Sequence, residues 1–286
     1  MIKSIQIFLV GLSLFVAGAV TAPAADPGVV LLYTGNSLGK YQACPTCGQS
    51  ATGGLDRRAT VLAEQRAGGG TVFTLAGGYE LSPYSKNWNP VDGHSQALVR
   101  AYTALEYDLG VLTSGDQESL SRTGLEAPKG FVPAGDRPEV RVLTKGSVRL
   151  GVLICPELRA GSSAPGPELF AQLAATAAQV RQDCDVVIAI STWGERNEAA
   201  LLEAHPGVAD VLLGSGPGVG AGVRLMNDGA TMWLRPEFEG RSVLRLELTS
   251  FLDAGKWEGE SLAAVRLPLD HLVKGDGRIS ALFAWI

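Results

Sequence analysis

Val29-Val30-Leu31-Leu32-Tyr33-Thr34-Gly35-Asn36-Ser37-Leu38-Gly39, then Cys44-Pro45-Thr46-Cys47, then Gly53-Gly54-Leu55-Asp56-Arg57-Arg58, is the stretch whose reading decides the fold. Its first four residues form an apolar run closed by a Gly/Asn loop, the pattern of a buried strand, and an amphipathic helix is expected over 55–66. A loop just past the carboxyl end of a first strand is where open strand-and-helix sheets place their chemistry.

The same alternation continues along the chain. Strands are expected at 71–75 and 109–112, with a helix over 94–106 between them and a Pro/Ser/Asn-rich loop over 79–93. Pro and Gly mark 119–137 as an irregular surface excursion, and 140–143 with 148–154 read as a hairpin. An Ala-rich helix over 168–182, a strand at 185–190, a short helix over 198–204 and a strand at 208–213 follow. Asn227-Asp228-Gly229 between 223–226 and 231–234 signals a hairpin, with further strands at 243–248 and 263–267. On pattern alone this is an α/β domain with a parallel or mixed sheet that finishes antiparallel.

Composition narrows the function classes. The chain has 286 residues, 46% of them hydrophobic, and a net charge of −5, so it can bury a core and has no basic stripe for nucleic acid. Lys3, an apolar run over 5–20 and Ala22-Pro23-Ala24 together read as a signal peptide cleaved after Ala24, although an uncleaved anchor is the other reading of that run. Residues 1–24 are therefore expected to be removed on export, leaving 25–286 as one domain, periplasmic or secreted, with no stable membrane span.

Several motifs have a plain reading as well as a chemical one. Residues 35–40 lack the spacing and the Ser or Thr of a phosphate loop, and the glycine-rich 214–222 run is followed by a hairpin where a dinucleotide fingerprint needs a helix. His94, His205 and His271 have no second ligand at usable spacing. Cys155 ends one strand and Cys184 precedes another, so in a parallel arrangement they fall at opposite edges. Cys155, on the same edge as the Cys44 loop, reads either as a resolving thiol or as a small buried hydrophobe. Cys44 and Cys47 have three readings: a thiol–disulfide pair, a structural clip, or half of a shared metal site.

The order of motifs resembles the calcineurin-like metallophosphoesterase domain of the exported 5'-nucleotidase and UDP-sugar hydrolase family. Within it, the likeness is to members with a cysteine or selenocysteine pair after the first strand. Residues 31–39 resemble its Asn-Asp-x-His-Gly motif, 53–60 its Gly-Gly-x-x-Arg-Arg helix opening, and 104–108 with 114–118 its Leu-Gly-Tyr-Asp and Gly-Asn-His-Glu region. Residues 185–194 and 210–218 resemble its last two histidine motifs. The resemblance implies a four-layer αββα sandwich with two mixed β-sheets, and two divalent metals that activate water. It also implies that Asn36 stands for an Asp, Leu38 for a His, Gly78 for the bridging Asp, Asp116 for an Asn and Gln117 for the catalytic His. Thr192 or Trp193 falls where a His belongs, and Gly216 and Gly218 replace the last two.

A two-metal centre needs several charged or imidazole groups to converge, so a degenerate site without a metal cofactor is expected. The chain is also expected to lack the nucleotidases' second, base-binding domain. Three functions follow. One is a phosphatase-inactive scaffold using Cys44 and Cys47 for thiol–disulfide chemistry. Another is a non-catalytic module that binds a small molecule or protein in the former cleft through Asn36, Leu38, Asp116, Gln117, Glu118, Thr192 and Trp193. The third is residual phosphoester hydrolysis around Asn36, Asp116 and Glu118.

Overall fold

A computed structural model describes residues 28–43, 51–82, 93–158, 164–219, 222–257 and 264–286. The proposed signal peptide and the Cys44–Cys47 pair lie outside the described residues. In chain order, the first half contains β1 (Val29–Thr34), α1 (Leu55–Ala67), β2 (Thr71–Ala76), α2 (His94–Ala104), β3 (Leu109–Leu112), α3 (Ser114–Thr123) and β4 (Phe131–Pro133). Next come β5 (Glu139–Lys145), β6 (Val148–Ile154), α4 (Pro167–Val180), β7 (Val186–Ser191), α5 (Glu195–Ala204), β8 (Val211–Gly214), β9 (Gly222–Met226) and β10 (Thr231–Arg235). The last elements are β11 (Ser242–Glu247), α6 (Thr249–Ala254), β12 (Ala264–Pro268) and α7 (Gly277–Leu282).

These strands form two six-stranded mixed sheets, ordered β12-β11-β1-β2-β3-β4 and β5-β6-β7-β8-β10-β9. Pattern alone points to one sheet; the chain instead crosses to a second after β4 and returns at β11. Parallel strands buried on both faces read as unbroken apolar runs, so periodicity does not say which sheet a strand joins. The two-sheet sandwich implied by the family resemblance is the observed architecture.

Alternation along each strand builds three apolar layers. Leu31, Tyr33, Phe73 and Leu75 of the first sheet meet Val152, Ile154, Ile188 and Leu213 of the second. Val30, Leu32 and Val72 point the other way, onto Leu62 of α1 and Leu98 and Tyr102 of α2. Leu153, Val187, Ala189 and Leu212 cover Phe170 and Leu173 of α4 and Leu201 and Leu202 of α5. Each fully buried Leu or Val contributes about 1.5–3 kcal/mol of transfer free energy, so these layers are a large stabilising term for the sandwich.

The expected irregular excursion over 119–137 is corrected in part: it contains the second half of α3 and the short β4. The helix is polar, with only Asp116, Ser119 and Leu120 buried, so it carries no apolar stripe. Its start is specified instead by a capping box between Thr113 and Asp116. The 227–229 hairpin signal holds, β9 pairing antiparallel with β10 around Asn227 (φ 55°), Asp228 (φ 52°) and Gly229 (φ 91°). Among the described residues, no helix is long and apolar enough to cross a membrane.

Candidate functional site

The loops after β1, β2, β3, β7 and β8 meet at the carboxyl ends of the parallel strands. The first two are laced together: Asn36 N donates to Gly78 O at 3.1 Å, Leu38 N to Tyr79 O at 2.8 Å and Gly39 N to Glu80 O at 3.2 Å. Asn36 (φ 56°), Leu38 (φ 56°) and Tyr79 (φ 64°) all occupy the left-handed region, a strained backbone that persists only where surrounding contacts impose it.

The expected cleft residues are placed as follows. Asn36 is fully buried, its Oδ1 accepting from Gly216 N at 2.8 Å while its Nδ2 has no partner among the described residues. Asp116 is fully buried and accepts from six donors: the N–H groups of Tyr79, Leu81, Ser82 and Thr113, and the hydroxyls of Ser82 and Thr113. Burial pushes its carboxyl above the usual range, and the bonds from Thr113, Ser82 and Leu81 oppose that shift. Its role is to fix the loop after β2 and the start of α3. Thr192 is buried and its carbonyl accepts from Tyr79 Oη at 3.2 Å.

Leu38 is half-buried, Gln117 lies half-buried on α3, and Glu118 is exposed on the same helix. Trp193 packs away from these residues, in the helix-side layer against Phe170, its Nε1 donating to Pro156 O at 2.6 Å. Cys155 and Cys184 are free thiols at opposite ends of the parallel pair β6–β7. Cys155 is fully buried beneath Phe170 and Leu173, and burial drives its thiol far above the usual range, so it is inert as a resolving thiol.

The family's metal centre can be tested against the space available. A Cβ added to Gly78, where the bridging Asp would stand, would lie 2.6 Å from Thr192 Cγ2 and 2.8 Å from Thr113 Cγ2. At Gly216 it would lie 2.6 Å from Thr192 O and 3.1 Å from a Tyr79 ring carbon. At Gly77 it would overlap the hydroxyl of Tyr33. At Gly78 and Gly216, two of the positions where the resemblance implies ligands, the space is therefore filled by neighbouring side chains and backbone. Among the described residues no three His, Cys, Asp or Glu side chains converge to hold a metal. The described residues do not fit a two-metal centre.

Two buried ion pairs flank this filled volume, and sequence reading did not single them out. Arg58 of α1 contacts Glu80 at 3.1 Å, with side chains 1% and 0% exposed. Thr34 Oγ1 (2.6 Å), Tyr102 Oη (2.9 Å) and Ser37 Oγ also donate to Glu80. On the second sheet Glu198 of α5 pairs with Arg235 at the end of β10, and accepts from Trp233 Nε1 at 3.1 Å and Ser215 N at 3.2 Å. Burial pushes the Glu198 carboxyl up, with Arg235 opposing. The available signal was an acid inside an apolar stripe, since Glu198 shares the buried face of α5 with Leu201 and Leu202. Tyr79, flanked by Glu157, Asp116 and Glu198, has its phenol pushed up to about 12, mainly by burial.

Between residues 41–43 and the C-terminal helix α7 region lies a hollow of about 270 Å³, lined by Tyr41, Gln42, Ala43, Asp56, Arg57 and Phe283. Tyr41 stacks on Phe283 at 4.2 Å. An isolated antiparallel bridge joins Ala43 to Gly53.

No family model and no curated protein matches the chain. Solved structures do. A putative 5'-nucleotidase from Staphylococcus aureus is similar with a TM-score of 0.65 and 17% identity, over 89% of this chain and 57% of that one. The sulfate thiohydrolase SoxB of Thermus thermophilus gives 0.64 and 16%, over 92% and 60%, and a 5'-nucleotidase precursor from the same organism gives 0.61 and 12%, over 89% and 57%. The calcineurin-like phosphoesterase YfkN of Bacillus subtilis gives 0.56 and 13%, over 91% and 96%. The chain thus spans less than two thirds of the first three proteins. At these identities the likeness is one of architecture: the chain has the fold of the 5'-nucleotidases and calcineurin-like phosphoesterases.

Proposed function

We propose that this chain is an exported protein of nucleotidase fold that does not hydrolyse phosphoesters and uses Cys44 and Cys47 as a thiol–disulfide pair. The observation that carries the first half is the filled space at Gly78 and Gly216, where ligating side chains would have to stand. Residual hydrolysis around Asn36, Asp116 and Glu118 has little support, because the Asp116 carboxylate is engaged by six protein donors and Glu118 is exposed. In this reading residues 1–24 are the signal peptide, 25–286 form the domain, and no metal cofactor is used.

The thiol half is supported by position and by elimination. Ala43 and Gly53, which bracket the pair in sequence, are joined by an antiparallel bridge. Of the other two cysteines, Cys155 is fully buried, and burial pushes the thiols of both Cys155 and Cys184 up, so the closely spaced pair is better suited to exchange. A binding role is the second reading, favoured by the hollow beside Ala43 rather than by the filled cleft.

Two measurements decide between these. Purified protein should hold less than about one divalent metal per two chains and release no phosphate from AMP with added manganese; turnover above a chelated control would end the first half. The Cys44–Cys47 reduction potential should lie above about −300 mV, because a lower value is that of an ordinary structural disulfide.

A further inference from the structure

Removing the metals from a two-metal hydrolase would take away what ties its loops together. In this chain the tie is made of protein. Glu198 accepts from Ser215 N, and Arg235, held by Glu198, donates to Gly216 O at 2.8 Å and Pro217 O at 3.2 Å. The loop after β8 is also pinned by Gly194 N on Ser215 O (2.9 Å) and Ser215 N on Ser191 O (2.8 Å).

So fixed, that loop reaches across to the first sheet. Ser215 Oγ accepts from Gly78 N at 3.0 Å, Gly214 O accepts from Tyr33 Oη at 3.0 Å, and Gly216 N donates to Asn36 Oδ1 at 2.8 Å. Tyr79 Oη adds its bond to Thr192 O, and Glu157 after β6 accepts from both Ser114 N and Ser114 Oγ at 2.8 Å. On the first sheet the Arg58–Glu80 pair anchors the partner loops through Thr34 and Ser37.

We propose that the Glu198–Arg235 and Arg58–Glu80 pairs, with these cross-sheet hydrogen bonds, form a metal-independent clasp that holds the two sheets shut at the site where the fold's metal centre would lie. The inference deepens the non-hydrolytic reading and rests on the same filled space. It assigns Glu198, Arg235, Arg58 and Glu80 a positioning role, and Ser215 the role of the central latch. Their arrangement also explains how two of the fully buried acids here are tolerated: Glu198 and Glu80 are each matched by an Arg and by donors on the loops they must fix.

The test uses thermal melting and amide hydrogen exchange on the purified full chain. Excess EDTA, or added manganese or zinc, should move the melting midpoint by less than about 1 °C, whereas Glu198→Gln should lower it by roughly 10 °C. Ser215→Ala deletes only a hydroxyl and should fold; it should make the Gly78 amide exchange about tenfold faster. A chelator that lowers the midpoint by several degrees would overturn the clasp, as would unchanged Gly78 exchange in Ser215→Ala, a result that stays readable even if Glu198→Gln fails to fold. Phosphate release by a protein whose melting ignores EDTA would sink the non-hydrolytic reading and leave the clasp standing.

Discussion

The two buried ion pairs are alike in charge and burial but unlike in company. Around Glu80 the partners are mostly hydroxyls, those of Thr34, Ser37 and Tyr102, with Tyr107 Oη 2.9 Å from Thr34 Oγ1. Around Glu198 they are N–H groups, from Ser215, Trp233 and Arg235, apart from the Ser191 hydroxyl. A hydroxyl can reverse its bond and become an acceptor, but an N–H cannot. The first-sheet pair therefore sits in a network that can adapt, and the second-sheet pair in one that cannot. The clasp is accordingly stiff on the second sheet and compliant on the first.

The largest effect should come from replacing each carboxylate by its isosteric amide. In Glu198→Gln the new NH₂ faces N–H donors and strands the Arg235 charge, so about 3–5 kcal/mol of stability should be lost. In Glu80→Gln the Arg58 charge is stranded as well, but the same NH₂ can donate to Ser37 or Tyr102, which turn their protons elsewhere, so the loss should be smaller by about 1–2 kcal/mol. Urea unfolding of both variants checks the order; equal losses would break the contrast.

A smaller pair of changes probes the same difference through sterics. Neither Gly78 nor Gly214 has a positive φ, so alanine suits both backbones and any penalty is one of space. At Gly214 the added methyl would overlap the Glu198 carboxylate and displace the ion pair, whereas at Gly78 it would press the methyls of Thr192 and Thr113. Overpacking costs about 1–3 kcal/mol, and Gly214→Ala should lie at or above the top of that span with Gly78→Ala toward the bottom. A Gly78→Ala variant as unstable as Gly214→Ala would show that the first sheet is no more compliant than the second.

Much of this architecture is legible in the sequence, and the rest has a physical reason for being hidden. The strands around Leu31, Val111 and Ile188 are continuous apolar runs because both faces are buried, so their existence is plain. Their division into two sheets is not, since the crossing between β4 and β5 leaves no periodic trace; the motif order alone pointed to it. The substitutions that the family resemblance implies at Asn36, Leu38, Gly78 and Gly216 can be read position by position. That the space is filled cannot, because Thr113, Thr192, Tyr33 and Tyr79 come together only through the fold. The buried partners of Glu80 and Glu198 are hidden for the same reason. Trp193 illustrates the converse: motif alignment left Thr192 and Trp193 as alternatives for one His position, and the Trp193 ring packs in the helix-side layer, because successive side chains near a strand end face opposite layers.

The smallest effect expected is one of pH, and it again separates the two edges. His94 opens α2 on the first-sheet side, 8% exposed, its Nε2 3.0 Å from Gly39 O and its ring edge-on to Tyr41 at 4.9 Å. Burial holds its pKa below the usual value, with the Lys40 charge acting the same way and the Gly39 carbonyl opposing. A lowered imidazole pKa means that the unfolded chain takes up a proton first, so stability is full above about pH 6.5 and drains away as the pH falls below it. At the second-sheet edge the carboxyl behaves differently: burial pushes Glu198 up, while Arg235, Trp233 and Ser191 oppose that shift. Urea unfolding at about pH 7.5 and about pH 5.5 should therefore show wild type losing stability over the range governed by His94, and His94→Gln losing less. If the variant keeps the whole of the wild-type slope, the acid sensitivity arises elsewhere and the two edges do not differ in this respect.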